Sequence, residues 1–197
     1  MITQQRLLAS KPTTALRRFN EPLVSPMRDW LTVLFLSLVP VFAFGGEYRD
    51  VALSADQSEL IVTVADGSKF TAPRFADQVA FTQPQISPDG KNVGWLALFP
   101  NCCASYPIAL KLVVLSTSQQ LHTFEGTQLA ISKWCFLSDS TSVAYTQSVL
   151  HGSNFQHFER RAVSDGQLLG KYEYPHEDAA NTTARKRAPA WVKGIPE

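Results

Sequence analysis

The stretch ISPDGKNVGW, residues 86–95, decides the fold of this chain because it joins a tight turn to the start of a strand. Pro88 presets a backbone angle that suits a turn, and Asp89-Gly90 supplies a side-chain acceptor and a residue that tolerates positive φ. The chain is therefore expected to reverse over Ser87–Lys91. The apolar run from Asn92 to Phe99 is then expected to continue as a strand.

Strand patterns continue through the body of the chain, residues 46–174. Short runs of Val, Ile, Leu, Phe, Tyr and Thr are separated by turn residues, and hairpin dipeptides occur at Asp66-Gly67 and Asp165-Gly166. No segment has a long apolar face with helical spacing. The sequence predicts eleven strands, at Tyr48–Leu53, Glu59–Val64, Lys69–Ala72, Gln78–Thr82, Asn92–Phe99, Ile108–Leu115, Leu121–Phe124, Leu129–Phe136, Ser142–Val149, Asn154–Val163 and Gln167–Tyr174.

The turn motif recurs near Leu137–Ser140 and more weakly near Leu53–Asp56. Repeats of about 40–50 residues with four strands each are typical of propeller blades. The sequence therefore predicts an all-β fold of antiparallel, four-stranded, blade-like repeats. The chain has room for three blades, whereas closed propellers have about four to eight. We expect an open partial propeller, an assembly of several chains, or a small β-sheet domain built from the same hairpins.

Residues 85–95, QISPDGKNVGW, resemble the SPDGK core of the WD40-like repeats in TolB-type β-propellers. The second and third copies in this chain lack the Pro and the Gly of that core. The resemblance implies an exported bacterial protein, commonly periplasmic, with a binding or scaffolding role. The same signature occurs in the non-catalytic propellers of prolyl-oligopeptidase-like enzymes, so it indicates a fold more directly than a function.

Residues 1–45 are predicted to be an N-terminal extension followed by a secretory signal peptide. The apolar run Trp30–Phe44 follows a basic residue and ends among small residues, which is the layout of such a signal. It is shorter than the roughly 20 residues of a spanning helix. Cleavage is expected after Ala43 or Gly45, and Met27 is the expected translation start. The alternative is an uncleaved inner-membrane anchor with a basic cytoplasmic tail.

Composition favours a packed domain and disfavours nucleic acid as a partner. Hydrophobic residues make up 45% of the chain and the net charge is only +1, whereas nucleic-acid proteins carry a clear basic excess. Before Gly46 there are five Lys and Arg against two Asp and Glu, so the basic excess belongs to the leader. No nucleophile elbow, zinc helix or phosphate loop is present. No cofactor, metal site or catalytic residue is predicted.

Two loops supply the candidate binding residues, because loops on a rigid scaffold carry recognition. The loop after the predicted strand Asn92–Phe99 contributes Phe99, Asn101 and Tyr106. A second loop, before the tenth predicted strand, contributes His151 and Asn154.

Three cysteines are expected to include one disulfide, since disulfides are the default in an oxidising compartment. The predicted bond joins Cys102 or Cys103 to Cys135, and loop entropy gives such a bond about 3–4 kcal/mol. Free buried thiols are one alternative. A redox or metal site is another, although an adjacent cysteine pair is a poor chelate.

Residues 175–197 are predicted to form a flexible polar tail, with Trp191 able to dock on the body. The predicted function is an exported, periplasmic or secreted, non-enzymatic binding or scaffold protein. Its expected partner is another envelope or periplasmic protein. The alternatives are an exported hydrolase that uses loop residues such as His151 and Asp139, or a membrane-anchored structural subunit held by residues 30–44.

Overall fold

The structure is a computed structural model that describes residues 46–102, 105–126, 129–149, 155–176 and 178–196. All of these belong to one compact unit. The predicted signal peptide and the candidate residues Cys103, His151 and Asn154 lie outside the described residues. Within the described ranges, no helix is long and apolar enough to cross a membrane.

Eleven strands occur in the described ranges, and each corresponds to a predicted strand. They are β1 (Tyr48–Leu53), β2 (Leu60–Val64), β3 (Lys69–Thr71), β4 (Ala80–Ile86), β5 (Asn92–Phe99), β6 (Ile108–Ser116), β7 (Leu121–Glu125), β8 (Ile131–Phe136), β9 (Ser142–Ser148), β10 (Gln156–Ala162) and β11 (Leu168–Tyr174). Strand β4 runs past Pro84 to Ile86, further than predicted. Pro84 is tolerated because the pairing with β5 is irregular between Thr82 and Gln85.

The described strands form three antiparallel sheets, which we call blades 1, 2 and 3. Blade 1 has the order β1-β2-β3, blade 2 the order β4-β5-β6-β7, and blade 3 the order β8-β9-β10-β11. Within each blade, every strand is hydrogen-bonded to its neighbour along the chain, as hairpin connections require. The all-β fold of antiparallel blade-like repeats is therefore confirmed.

The SPDGK turn between β4 and β5 forms as its sequence predicts. Asp89 Oδ1 accepts hydrogen bonds from Ser87 Oγ at 2.6 Å and from the Lys91 N–H at 3.1 Å. Gly90 has a φ of +71°, in the region that glycine adopts without a steric penalty. The β8–β9 turn repeats this arrangement, with Asp139 as the acceptor and Ser140 at a φ of +56°. The second copy of the motif is thus structurally equivalent to the first.

Strand register shows which three of the four blade positions the described strands of blade 1 occupy. The same backbone hydrogen bond occurs once in each blade. Its donor is the N–H of the residue that follows one strand, and its acceptor is the carbonyl of the residue that precedes the neighbouring strand. These bonds are Thr117 N–H to Lys91 O at 2.9 Å in blade 2, Val163 N–H to Thr141 O at 2.9 Å in blade 3, and Ala65 N–H to Glu47 O at 2.8 Å in blade 1. By this register β1, β2 and β3 occupy the second, third and fourth positions. The motif Leu53–Asp56 forms a turn with the same hydrogen bonds as the SPDGK turn, as its sequence predicts. By the strand register, however, this turn lies at the second loop of its blade and the SPDGK turn lies at the first.

Two apolar cores lie between neighbouring blades. The core between blades 1 and 2 contains Phe81 and Trp95, and the core between blades 2 and 3 contains Trp134 and Leu112. Trp134 also donates its Nε1–H to Gln83 O at 3.0 Å, so it connects the two sheets by packing and by a hydrogen bond. A Cβ at Gly94 would lie 2.6 Å from the Trp134 ring, so only glycine fits at that position without displacing the indole.

Two helices follow blade 3 in the segment predicted to be a flexible tail. They are α1 (Asp178–Arg187) and α2 (Ala190–Lys193). Buried Val192 of α2 packs in a third core with Phe158 and Tyr174 of blade 3. Trp191 lies against Gly170 of β11. The sequence of α1 is mostly polar and has no strong apolar period, so contact with blade 3 stabilises a helix that local propensity would not.

Candidate functional site

The predicted binding residues of the β5–β6 loop have different surroundings. Phe99 is half-buried and packs on Phe75, with ring centroids 6.1 Å apart, at the edge of the core between blades 1 and 2. Asn101 is half-buried and Tyr106 is exposed. Neither lines the two cavities described below. The structure therefore does not bring the predicted residues together in one described pocket.

The cysteines depart from the prediction. Cys102 is exposed, Cys135 is buried, and both are free thiols, so the predicted bond between Cys102 and Cys135 is wrong. Cys135 lies on the face of blade 3 that the helices cover, where its Sγ donates to Gly194 O at 3.7 Å. Burial raises the pKa of the Cys135 thiol to about 11. Among the described residues, no group of three or more His, Cys, Asp or Glu side chains could hold a metal ion.

A cluster of buried polar side chains lies in blade 3, and the sequence analysis missed it. At its centre is Glu159 on β10, whose side chain is 3% exposed. Its Oε2 accepts hydrogen bonds from Tyr145 Oη at 2.7 Å and from Arg161 Nε at 2.6 Å. Burial and the neighbouring Glu159 carboxylate raise the pKa of Tyr145 well above its ordinary value. The phenol is therefore a constant donor to the carboxylate.

His157 extends this polar cluster to β11. Its Nε2 lies 3.2 Å from Glu159 Oε1, and its Nδ1 lies 3.0 Å from Glu173 Oε1. Gln147 Nε2 donates to Glu159 Oε1 at 3.3 Å. Alternation along β10 could have indicated the cluster, because residues 157, 159 and 161 share one face of the strand. The pairing with β9 that places Tyr145 opposite Glu159 depends on the fold.

This polar cluster connects β9, β10 and β11, and neither described cavity reaches it. Its titratable groups form hydrogen bonds with one another, so it resembles a satisfied core network more than a site open to substrate.

Asp139, which the sequence analysis considered for a hydrolase, has contacts that are typical of a structural residue. It accepts a hydrogen bond from Arg160 at 2.8 Å and caps the β8–β9 turn. Burial acts to raise its pKa, but hydrogen bonds from Ser142 and from backbone N–H groups outweigh burial and leave the pKa lowered.

Two cavities lie beside blade 3. One, of about 580 Å³, is between blade 3 and the C-terminal helices. The other, of about 400 Å³, is a groove between the turns of blades 2 and 3. This groove is lined by hydroxyl groups and includes Lys91 and His122. Both volumes fall in the range of small-molecule sites, about 300–1,000 Å³.

The edge of blade 1 is a further candidate surface. In the described part of the chain, β1 pairs only with β2. Residues of an antiparallel pair alternate between those that hydrogen-bond to the partner strand and those that do not. Ser54 N–H donates to Glu59 O, so by this alternation the backbone N–H and C=O groups of Val51 and Leu53 point away from β2. The side chains of these two residues pack on the core between blades 1 and 2. A strand placed beside β1 would extend both the sheet and that core.

No family model matches the chain, and no curated protein matches it. Two solved structures are similar over 66% of the chain: an acylaminoacyl peptidase from Pyrococcus horikoshii, with 12% identity and a TM-score of 0.40, and a eukaryotic initiation factor, with 11% identity and a TM-score of 0.22. The similar region spans 25% of the peptidase chain and 45% of the initiation factor chain.

Proposed function

We propose that this protein is an exported, non-enzymatic binding or scaffold protein with TolB-like blade repeats. We further propose that a partner protein of the bacterial envelope docks by adding a strand to blade 1 at β1. The observation that carries the proposal is the register of blade 1, whose three strands occupy the second to fourth positions of a blade. An edge strand with unused backbone groups is a template for strand addition.

Export would explain why no described strand occupies the first position of blade 1. Ile86 precedes Asn92 by six residues, and Phe136 precedes Ser142 by six. The residue six positions before Tyr48 is Phe42, which lies outside the described residues and before both expected cleavage sites. Signal cleavage after Ala43 or Gly45 would leave the mature chain without a segment for the first position of blade 1.

The chemistry of β1 indicates the kind of segment that would dock. Arg49, Asp50 and Ala52 are exposed, whereas Val51 and Leu53 lie against the apolar core. A strand paired with β1 would place alternate side chains toward that core. The partner segment is therefore an extended stretch with apolar residues at every second position.

Proline at Val51 tests this docking mode. The chain is expressed with its leader in an exporting bacterium, with a photo-crosslinking residue in place of Asp50. Val51→Pro removes an N–H that β2 does not use, so the fold should survive. Val51→Ala is the matched control, because it trims the side chain and retains the N–H. We expect one discrete adduct with the parent and with Val51→Ala, and loss of that adduct with Val51→Pro while the circular dichroism spectrum is unchanged.

Two results would overturn the proposal. One is an adduct that forms equally well with Val51→Pro. The other is an intact mass in which residues 36–42 are retained in the mature chain, because that segment could then supply the missing strand itself. A retained leader would favour the membrane-anchored alternative.

A further inference from the structure

The cavity between blade 3 and the C-terminal helices is a second candidate binding site. Its volume is about 580 Å³, and its walls come from the face of blade 3 and from α1, α2 and the residues after α2. It involves neither β1 nor the β5–β6 loop, so it stands apart from the docking surface proposed above.

The charged side chains that line this cavity in the described part of the chain are all positive. They are Lys133 of β8, Arg185 of α1 and Lys193 of α2. Within the described ranges, ion pairs form at Lys111, His157, Arg160 and Arg161, and none involves these three cations. Like charges that converge on one concave surface raise the local concentration of anions.

Arg185 is held in place by contacts to neutral groups. Its Nε donates to Asn181 Oδ1 at 2.7 Å, its Nη2 donates to Gln156 Oε1 at 3.5 Å, and its guanidinium carbon lies 4.6 Å from the centroid of the Tyr174 ring. None of these three partners among the described residues carries a negative charge. A preorganised cation of this kind costs little conformational entropy when it binds an anion.

The deeper wall of the cavity is apolar. Phe158 and Tyr174 are buried and pack edge to face, with ring centroids 4.6 Å apart, and buried Ile195 lies beside them. Small-molecule sites commonly combine an apolar lining with a few convergent polar groups. The cavity therefore fits a ligand with an anionic head and an apolar body.

We propose that this cavity binds a small organic anion in which a carboxylate is attached to an apolar or aromatic body. The carboxylate lies among Lys133, Arg185 and Lys193, and the apolar body lies against Phe158, Tyr174 and Ile195. The guanidinium group offers the fork of donors that matches a carboxylate, and the lysines add charge without a directional requirement.

A set of probes with the same apolar body and different charges tests the proposal. The full chain, labelled with ¹⁵N, is titrated with 4-phenylbutyrate and followed by NMR chemical shifts. The same titration is run with 4-phenylbutanol and 4-phenylbutylamine, which share the apolar body and carry no negative charge. We expect saturable shifts for 4-phenylbutyrate at the amides of Lys133, Tyr174 and Ile195. The amine should bind at least about tenfold more weakly than the carboxylate. Added salt should weaken the binding of the carboxylate and leave the binding of the alcohol unchanged.

Substitution of the lysines locates the site. The double variant Lys133→Met and Lys193→Met removes two charges and retains apolar side chains, and we expect its Kd for 4-phenylbutyrate to rise about fivefold or more. Lys171→Met is the matched control, because Lys171 is exposed on β11 and does not line the cavity. Its Kd should stay within about twofold of the parent. Equal binding of the amine and the carboxylate, shifts located elsewhere, or an equal effect of Lys171→Met would each overturn the proposal.

Discussion

At the scale of single residues, burial decides what the titratable side chains can do. Cys135 and Cys102 are both free, but Cys135 lies beneath α2 and Cys102 is on the surface. Burial disfavours the thiolate, so the pKa of Cys135 is raised to about 11. The thiolate is the nucleophilic form, and at pH 8 only about a thousandth of such a thiol is ionised.

Alkylation should therefore discriminate between these two thiols. With iodoacetamide at pH 8 we expect Cys102 to be modified and Cys135 to stay protected until denaturant is added. The measurement is peptide mapping by mass spectrometry after timed quenching. The rate at Cys135 should rise with pH toward 11, since ionisation then increases. Modification of both cysteines at one rate in the native protein would show that Cys135 is not buried as described.

Glu159 is the residue on which the polar cluster of blade 3 depends. Replacement by Ala would remove the buried carboxylate to which Tyr145 and Arg161 donate, and loss of one partner of a buried pair costs about 3–5 kcal/mol. Glu125 is the matched control. It also forms a 2.6 Å ion pair, with Lys111, but its side chain is 66% exposed, so Glu125→Ala should cost about 1 kcal/mol or less. Urea denaturation measures both variants, and similar costs for the two would contradict a structural role for Glu159.

At the scale of elements, substitution of two turn glycines distinguishes the cost of backbone strain from the cost of steric contact. Gly67 and Gly90 have φ values of +87° and +71°. A Cβ at Gly67 meets nothing within 4 Å, whereas one at Gly90 would lie 3.1 Å from Glu47 Cβ. We expect Gly67→Ala to cost about 1–2 kcal/mol from strain alone. Gly90→Ala should cost more, because Glu47 lies at the start of blade 1. Thermal unfolding measures the stability of both variants. Equal costs would mean that Glu47 moves away from the new Cβ at position 90 without loss of stability.

The elements also show how much of the structure could be predicted from the sequence. Strands were predictable because turn residues and short apolar runs are local signals, and all eleven lie near their predicted positions. The positions of the three described strands of blade 1 were not predictable, because Ser54 and Asp56 form a turn much like the SPDGK turn and only pairing register separates the two. The helices and the Glu159 cluster were missed for a related reason. Both depend on contacts between segments distant in sequence or across strands.

At the scale of the whole molecule, the protein is a series of sheets in which each buries an apolar face against the next. The cores lie between blades 1 and 2, between blades 2 and 3, and between blade 3 and the helices. In such a series each unit depends mainly on its nearest neighbours. The helices then have the role of a cap, since they cover the face of blade 3 that is not packed on blade 2.

A charge placed under the cap tests this nearest-neighbour organisation. Val192 is buried against Phe158 and Tyr174, so Val192→Asp should detach α2 and destabilise blade 3 by more than about 2 kcal/mol. Lys193→Asp is the matched control, because Lys193 is exposed on the same helix. In native-state hydrogen exchange we expect protection of the β10 and β11 amides to fall with Val192→Asp, while β2 and β5 amides remain protected. A uniform loss of protection across all three blades would instead mean that the sheets unfold as one cooperative unit, because the core between blades 2 and 3 would then transmit the whole effect.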